Sequence, residues 1–124
     1  MENKLKYVIQ MHDASHLHYD LRLEIDGVAR SWAIPKEPSA EEGVKRLAIQ
    51  VGDHEISYMD FEGEIPEGEY GAGKVEIYDS GFWEPESINE KKIVAVIHGK
   101  RLRGRFTLVN FKDKNWLFFK SKEK

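Results

Sequence analysis

The 124-residue sequence contains no cysteine. Disulfide bonds and thiolate metal sites are therefore excluded, and any metal ion has to be held by histidine, aspartate or glutamate. The sequence also lacks an apolar run long enough to cross a membrane, and its first residues do not have the pattern of a signal peptide. These absences predict a cytoplasmic protein with no membrane-spanning segment.

Convincing helical periodicity is absent as well, so the sequence predicts an all-β fold. Short β-rich stretches alternate with turn residues, as in a small antiparallel β-barrel, closed or nearly closed, or a β-sandwich, with at most single helical turns. The length is that of one domain, and residues 1–124 are expected to fold as a single unit. The predicted strands cover residues 6–12, 17–25, 28–34, 45–51, 74–78, 93–98, 103–111 and 116–121.

The segments between these strands are predicted to be irregular. Residues 53–61 read as a turn followed by a short strand or an irregular segment. Residues 65–73 read as a glycine-containing loop, Ser80-Gly81 as a turn, and residues 86–90 as a polar connector.

The net charge of −3 conceals an uneven distribution of charge. Residues 52–90 are strongly acidic, with Lys74 as the only lysine or arginine, whereas residues 91–124 are strongly basic. A basic end of this kind can bind a polyanion locally, although both regions can equally be solvated faces.

Residue types that bind metal ions or act in catalysis are most concentrated in one segment of the chain, His12-Asp13-Ala14-Ser15-His16-Leu17-His18-Tyr19-Asp20-Leu21-Arg22-Leu23-Glu24. From Leu17 onward its residues alternate between apolar and polar. Successive side chains of a β-strand point to opposite faces. We therefore expect one apolar row to face the core, and a row that reads His, Asp, Arg and Glu to face outward.

This outward row predicts a metal site. His18 and Asp20 share a face, and His12 ends the preceding strand close enough to join them. Two imidazoles and one carboxylate suit Mn²⁺, Fe²⁺, Co²⁺ or Zn²⁺, and the open coordination positions favour catalysis over a structural role. His54 is a further candidate ligand. The alternative is that these are ordinary surface histidines.

The same region predicts an anion site. Arg22 follows Asp20 on the same face, and its planar fork matches phosphate oxygens. Lys36 and Arg46 could add positive charge, or could serve solubility alone. His54 and Tyr58 could donate hydrogen bonds to a phosphoryl oxygen or protonate a leaving group; for Tyr58, a structural role is the alternative. Together these groups predict metal-assisted phosphoester hydrolysis.

Two other features are interpreted as structural. The loop Gly68–Gly73 lacks the P-loop pattern, so its glycines are expected to allow a tight turn before a strand. The aromatic residues Trp32, Phe82, Trp83, Phe106, Trp116 and Phe118 are expected in the core rather than as platforms for nucleobases.

The chain resembles the 3′-phosphoesterase domain of bacterial DNA ligase D and its stand-alone archaeal relatives. The similarity runs from about Tyr7 to Lys122. Besides residues 12–24, it includes Ser31–Lys36, Lys45–Ala48, Asp53-His54 with Tyr58, Phe61–Gly73, and Trp116-Leu117 with Lys120. Several separated blocks in one order make this match more specific than any single motif.

The resemblance implies a small β-barrel with its active site on the outer surface. It implies an enzyme that removes a 3′-terminal ribonucleoside and a 3′-phosphate from DNA or DNA/RNA ends at primer–template junctions, leaving a 3′-hydroxyl for end-joining repair. The implied cofactor is Mn²⁺, with Co²⁺ or Zn²⁺ as substitutes, and separate ligase and polymerase proteins are possible partners. By position the metal residues are His12, His18 and Asp20. The phosphate-contacting and catalytic residues are Arg22, His54 and Tyr58, with His18 also at the catalytic centre and Lys36 and Arg46 as accessory cations.

Two other functions fit parts of the sequence. His18-x-Asp20 with a later histidine, His54 or His98, resembles the two-histidine, one-carboxylate triad of non-haem iron oxygenases. A non-catalytic barrel that binds DNA ends or a ligase through its basic C-terminal hairpins is the other alternative.

Overall fold

The computed structural model describes residues 4–122 and shows an all-β protein built around a closed antiparallel barrel. The strands are β1 (Leu5–Asp13), β2 (Leu17–Ile25), β3 (Val28–Ile34), β4 (Arg46–His54), β5 (Gly63–Ile65), β6 (Gly73–Asn89), β7 (Lys92–His98), β8 (Arg103–Lys112) and β9 (Asn115–Lys120). A 3-10 helix, Ile56–Asp60, lies between β4 and β5. The predicted fold class, an antiparallel barrel with no more than short helical turns, is confirmed.

The ring of strands closes through the pairing of β1 with β6. Neighbours follow the order β1-β2-β3-β4-β9-β8-β7-β6, and β5 adds to the first residues of β6. The β1–β6 register shifts between Ile9 and Gln10, which marks a β-bulge at the start of the segment that leads to His12. Closure leaves the eight strands of the ring without a free edge, and bulges of this kind re-aim the side chains that follow them.

The inside of the barrel is filled by apolar side chains from all around the ring. Trp32, Trp83 and Trp116 are almost fully buried there, together with Phe106 and Phe118. This arrangement agrees with the expectation that these aromatics belong to the core. Phe82, expected there too, is only half-buried and stacks on His98 at 4.4 Å between ring centroids.

One buried carboxylate ties the core to a turn. Asp79 accepts hydrogen bonds from the Tyr7 hydroxyl at 2.8 Å and from the backbone N–H groups of Lys100, Arg101 and Leu102 at 2.8–3.0 Å. Burial raises the pKa of the Tyr7 phenol far above its ordinary value, and the Asp79 charge raises it further. The phenol therefore stays protonated and donates to the carboxylate.

The outer face of β1, β2 and β3 carries the polar row. A second, smaller apolar cluster of Val8, Ala29 and Met59 also lies on this face and seats the 3-10 helix against the barrel. The sequence predicts that the polar row points away from the core, as it does, but the row is not open to solvent. Asp20 and Arg22 are only 7% and 3% exposed: Asp20 contacts His12, His18 and Arg22, and Arg22 lies against the Tyr58 ring of the 3-10 helix.

Several predicted boundaries are wrong. Ser80-Gly81 is not a turn, and residues 86–89 are not a separate connector, because β6 continues through both as one strand; of the predicted connector, Glu90 lies in the turn that follows. Gly81 instead permits close packing: a Cβ there would lie 2.0 Å from the carbonyl oxygen of His98 on β7. β4 extends to His54, and the expected irregular segment after it contains the 3-10 helix. Leu17, predicted to face the core, is 47% exposed.

Over residues 4–122, no helix has the length and apolar character needed to cross a membrane.

Candidate metal and phosphate site

A cavity of about 500 Å³ opens on the outer face of β1–β3, beside the end of β4. The 3-10 helix and the loop before β6 complete its walls. Its lining includes six of the residues singled out in the sequence: His12, His18, Asp20, Arg22, His54 and Tyr58. Residues that are up to 46 positions apart in the sequence are thus brought to one chamber by the successive pairing of β1, β2, β3 and β4.

Three of these side chains form a group of potential metal ligands. Potential donor atoms of His12, His18 and Asp20 all lie within 4.8 Å of one another. The Nδ1 atom of His12 is 3.6 Å from Oδ2 of Asp20, and the Nε2 atom of His18 is 3.3 Å from Oδ1. His12 and His18 are opposite each other in the β1–β2 register, so the pairing of this hairpin sets their separation.

The second nitrogen of each imidazole is held by a backbone carbonyl. His12 Nε2 donates to the carbonyl oxygen of Gly71 at 2.8 Å, and His18 Nδ1 donates to that of His16 at 3.1 Å. These bonds use one N–H of each ring, so in the neutral imidazoles the atoms that face the carboxylate, His12 Nδ1 and His18 Nε2, carry no proton. When His18 is protonated, its Nε2 donates to Asp20 instead. Metal-binding histidines are oriented in this way by an outer hydrogen bond, so the donor set fits a divalent ion.

The charges at this group favour an ionised carboxylate. Burial by itself would raise the pKa of Asp20, but the hydrogen bond with His18 and the positive charge of Arg22 outweigh it, and the pKa lies below its ordinary value. The hydrogen bond with Asp20 also raises the pKa of His18, against the effect of burial. The site therefore presents an anionic oxygen between two nitrogen donors.

Arg22 is a buried cation with a fixed orientation. Its Nε donates to Oε1 of Gln10 at 2.6 Å, one terminal nitrogen donates to Oγ of Ser31 at 2.8 Å, and the other lies 3.5 Å from Oδ2 of Asp20. These contacts hold the guanidinium in place and leave further N–H groups on its terminal nitrogens. Because Arg22 lines the cavity, those groups are available to an anion inside it.

His54 and Tyr58 stack on one another beside Arg22. Their ring centroids are 4.6 Å apart at an interplanar angle of 20°, and the Phe61 ring also stacks on Tyr58, at 5.3 Å between centroids. The Arg22 guanidinium carbon lies 4.9 Å from the centroid of the Tyr58 ring. The stack fixes both ring planes at the wall of the cavity.

The surroundings set the protonation of these two rings. Burial, followed by the charge of Arg22, lowers the pKa of His54. Burial raises the pKa of Tyr58, although Arg22 acts in the opposite direction. At neutral pH, a neutral imidazole and a protonated phenol therefore face the cavity, and each has one N–H or O–H proton to donate.

Gln10 was not among the sequence candidates, yet it connects the two halves of the site. It is fully buried, and its Nε2 donates to the backbone carbonyls of Tyr58 at 2.9 Å and Phe61 at 3.1 Å, while its Oε1 accepts from Arg22. The available signal was the alternation of β1, which places Gln10 two residues before His12 on the same face. Ser31 and Gly71 were also missed. Ser31 lies opposite Arg22 in the β2–β3 hairpin, whereas the contact of Gly71 with His12 spans 59 positions of the sequence.

Three sequence candidates lie away from the cavity. Lys36 is exposed in the proline-containing loop, and Arg46 donates from Nε to the carbonyl of Glu37 at 2.7 Å; neither lines the chamber. His98, considered for an oxygenase triad, lies 2.6 Å from Oε2 of Glu84 and is not part of the lining either. The carboxylate-and-histidine group among residues 4–122 uses His12 as its second histidine.

Residues 10–110 match the family model described as the DNA ligase D 3′-phosphoesterase domain. This range includes all six cavity residues that were picked out in the sequence.

Similar curated proteins carry matching names. The chain is 45% identical over 128 residues to the multifunctional non-homologous end joining protein LigD of Pseudomonas aeruginosa, covering 96% of this chain and 15% of that protein. It is 44% identical over 132 residues to the LigD protein of Mycolicibacterium smegmatis, covering 98% of this chain and 17% of that protein. A LigD protein of Mycobacterium tuberculosis is 45% identical over 115 residues, with 90% and 15% covered. The chain thus spans about one-sixth of the length of these relatives.

Proposed function

The chain belongs to the DNA ligase D 3′-phosphoesterase domain family, and from this membership we propose that it is a metal-dependent phosphoesterase that heals DNA 3′ ends. It would remove a 3′-terminal ribonucleoside and then a 3′-phosphate, leaving a 3′-hydroxyl. Its substrates would be DNA or DNA/RNA ends at primer–template junctions. The names of its relatives refer to non-homologous end joining, and this is the repair process in which we propose that it works.

One observation carries this proposal more than any other. The cavity sets a nitrogen–oxygen ligand group directly beside an anchored arginine, with Asp20 in contact with both. Attack on a phosphoester requires positive charge at its oxygens and a group that activates the attacking water. The arginine and the metal-ligand group would provide these from two sides of the same phosphate.

The metal residues would be His12, His18 and Asp20. Two imidazole nitrogens and a carboxylate suit Mn²⁺, for which Co²⁺ or Zn²⁺ would substitute. When bound, the ion supplies Lewis-acid polarisation of a phosphoryl oxygen and a means of activating water. The carbonyls of Gly71 and His16 would keep the two imidazoles in the tautomers that leave these nitrogens free.

The remaining residues would bind and stabilise the phosphoryl group. Arg22 would direct its free N–H groups to the phosphate oxygens, and its anchors mean that no reorganisation is required as charge develops. His54 and Tyr58 would donate hydrogen bonds to oxygens of the same phosphoryl group. In this role a neutral His54 is a hydrogen-bond donor, and Tyr58 is the group that would protonate a leaving oxygen.

The partners would be nucleic acid ends and the other enzymes of end joining. A ligase that joins the healed end has to act after this reaction, because ligation requires the 3′-hydroxyl that the reaction leaves. Lys36 and Arg46 lie outside the cavity, so any contact with DNA would be to phosphates beyond the terminal one.

The decisive experiment is a metal series on a primer–template that ends in a 3′-phosphate. We expect phosphate release with Mn²⁺ and none after chelation. His12→Ala, His18→Ala and Asp20→Ala should each abolish it, whereas the matched control His98→Ala should not. A fully active Asp20→Ala enzyme would disprove the metal assignment.

The same samples separate the alternative functions. Salt-dependent DNA binding with no turnover for any of Mn²⁺, Co²⁺ or Zn²⁺ would indicate a non-catalytic DNA-end protein. Oxygen consumption with Fe²⁺ and a small organic substrate would indicate an oxygenase.

A further inference from the structure

Tyr70 is an aromatic side chain at the cavity that the proposed chemistry leaves unused. It lines the chamber, yet its relative exposure is 101%, whereas the other exposed large hydrophobic side chains among the described residues range from 40% to 56%. Burying a tyrosine ring is favourable, so a ring left wholly in water contributes nothing to the stability of the fold. A ring in this position is instead available to a ligand.

The loop that carries Tyr70 is built from consecutive tight turns. Glu69 N–H donates to the carbonyl of Pro66 at 3.2 Å, and Ala72 N–H donates to that of Glu69 at 3.1 Å. Gly73 ends the loop at φ +133°, where an added Cβ would lie 2.4 Å from the carbonyl oxygen of Asp13. The end of the loop is therefore pressed against β1, while Tyr70 projects from its tip.

The loop also touches the metal-ligand group. Gly71, the next residue after Tyr70, provides the carbonyl that holds His12. Consecutive Cα atoms are about 3.8 Å apart. The backbone of Tyr70 is thus fixed one residue from the support of a proposed metal ligand, and a phosphate held at that ligand would have the Tyr70 ring as a near neighbour.

The size and lining of the chamber leave room for more than a phosphate. Its volume of about 500 Å³ falls in the range of roughly 300–1,000 Å³ in which proteins hold whole small molecules. Ile65 and Val51 add apolar surface to its walls, and Val51 is 40% exposed. These apolar parts of the walls are suited to the sugar and base of a nucleotide.

The charge of the loop decides which part of a nucleic acid it can accept. Residues 61–73 contain four glutamates and no lysine or arginine. Such a segment repels the phosphates of a strand. The neutral face of a nucleobase is the part that can approach it, and an exposed aromatic ring is the usual platform for that face.

We propose that Tyr70 stacks on the terminal nucleobase of the DNA 3′ end and so positions the end for reaction. The inference rests on the proposed function and extends it by naming the residue that recognises the terminal nucleoside. Because every nucleobase presents a π-face, the contact would be tolerant of sequence.

The test compares two primer–templates that carry a 3′-phosphate. One has an ordinary terminal base, and the other has an abasic terminal nucleotide. Tyr70→Ala is expected to lower kcat/KM on the first substrate by roughly 5- to 150-fold, the size of one base–aromatic stack, and mainly through KM. On the abasic end, the same variant should differ from the wild type by less than about twofold, because no base remains to stack.

Three control variants accompany Tyr70→Ala. Tyr70→Phe and Tyr70→Trp keep an aromatic face and should retain wild-type behaviour. Phe111→Ala removes another exposed aromatic side chain, 56% exposed on β8, and should leave kcat/KM unchanged on both substrates. The thermal unfolding temperature and the Mn²⁺ affinity of Tyr70→Ala should equal those of the wild type. If Tyr70 instead had a structural role in the loop, its loss would disturb the carbonyl that holds His12 and change both values.

The binding of both ends, measured by fluorescence anisotropy without added metal, separates the two proposals. If the wild type binds both ends but hydrolyses neither substrate, the phosphoesterase proposal fails. The stacking contact is then still measured by the difference in binding affinity between the ordinary end and the abasic end. Equal losses for Tyr70→Ala on both ends, or no loss on either, would overturn the stacking proposal even in an active enzyme.

Discussion

Replacing Gln10 by methionine tests whether one side chain holds the two halves of the site together. Gln10 makes three hydrogen bonds: two to the carbonyls of Tyr58 and Phe61 and one from the Arg22 guanidinium. A neutral bond contributes about 0.5–1.5 kcal/mol and a bond to a charged group about 1.5–3 kcal/mol. Methionine is of similar length and removes all three, so the free energy of unfolding should fall by between about 2.5 and 6 kcal/mol.

Urea unfolding measures this loss directly. With an m value of about 1–3 kcal/mol/M for a protein of this size, the midpoint should fall by roughly 2 M. Activity should fall as well, by about 100-fold in kcat/KM, because a displacement of Arg22 or Tyr58 by about 1 Å has an effect of that order.

Two further variants at glutamines make the result interpretable. Gln50→Met on β4 removes a single bond, from Trp116 Nε1 at 3.2 Å, and should cost about 1 kcal/mol without loss of activity. Gln10→Glu keeps an acceptor for Arg22 but turns both bonds to the 3-10 helix segment into contacts between oxygen atoms, so it should loosen that segment while Arg22 stays paired. If Gln10→Met is as stable and as active as Gln50→Met, the proposed link between the strands and the 3-10 helix is wrong.

Three other outcomes are expected. Mn²⁺ at 100 times its Kd should stabilise the wild type by about 2.7 kcal/mol in calorimetry, and Asp20→Asn should lose most of this increment; an unchanged increment would exclude Asp20 as a ligand. Because the pKa of the buried Tyr7 phenol is raised in the folded state, its contribution to stability is complete below the unfolded value of about 10 and declines above it by up to about 1.4 kcal/mol per pH unit. Urea unfolding from pH 9 to 11 should therefore show a steeper decline for the wild type than for Tyr7→Phe, and parallel curves would contradict this. Gly73→Ala should cost about 2–4 kcal/mol, because its Cβ would lie 2.4 Å from the carbonyl of Asp13, whereas Gly27→Ala, at φ +83° but in open space, should cost less; equal urea midpoints would refute the steric argument.

Local patterns in the sequence were enough to predict the fold class and part of the site. Side-chain direction in a strand depends only on residue parity, so the shared face of His18, Asp20 and Arg22 followed from the alternation of β2. The Asp26-Gly27 turn likewise follows from its own residues, with both at positive φ. The roles of these residues in binding and catalysis stay predictions.

Features that depend on distant contacts could not be predicted. Arg22 is buried beside Tyr58, which belongs to a 3-10 helix more than 30 residues away in the sequence. Gly81 resembled a turn residue, but its small size serves the close approach of a neighbouring strand. The contacts of Gln10 with Tyr58 have no local signature either, since they form only when the 3-10 helix that follows β4 packs back on β1.

The small cluster of Val8, Ala29 and Met59 lies outside the barrel core, and because it is so small we expect it to form a second, weaker cooperative unit. Because the 3-10 helix rests on this cluster, it can detach while the interior of the ring stays packed. The amides of Tyr58 and Phe61 should then exchange with deuterium through a sub-global opening that is lower in free energy than the opening of the central strands. Since Tyr58 leaves the cavity in that opening, activity should be lost on warming at a lower temperature than that at which the barrel unfolds.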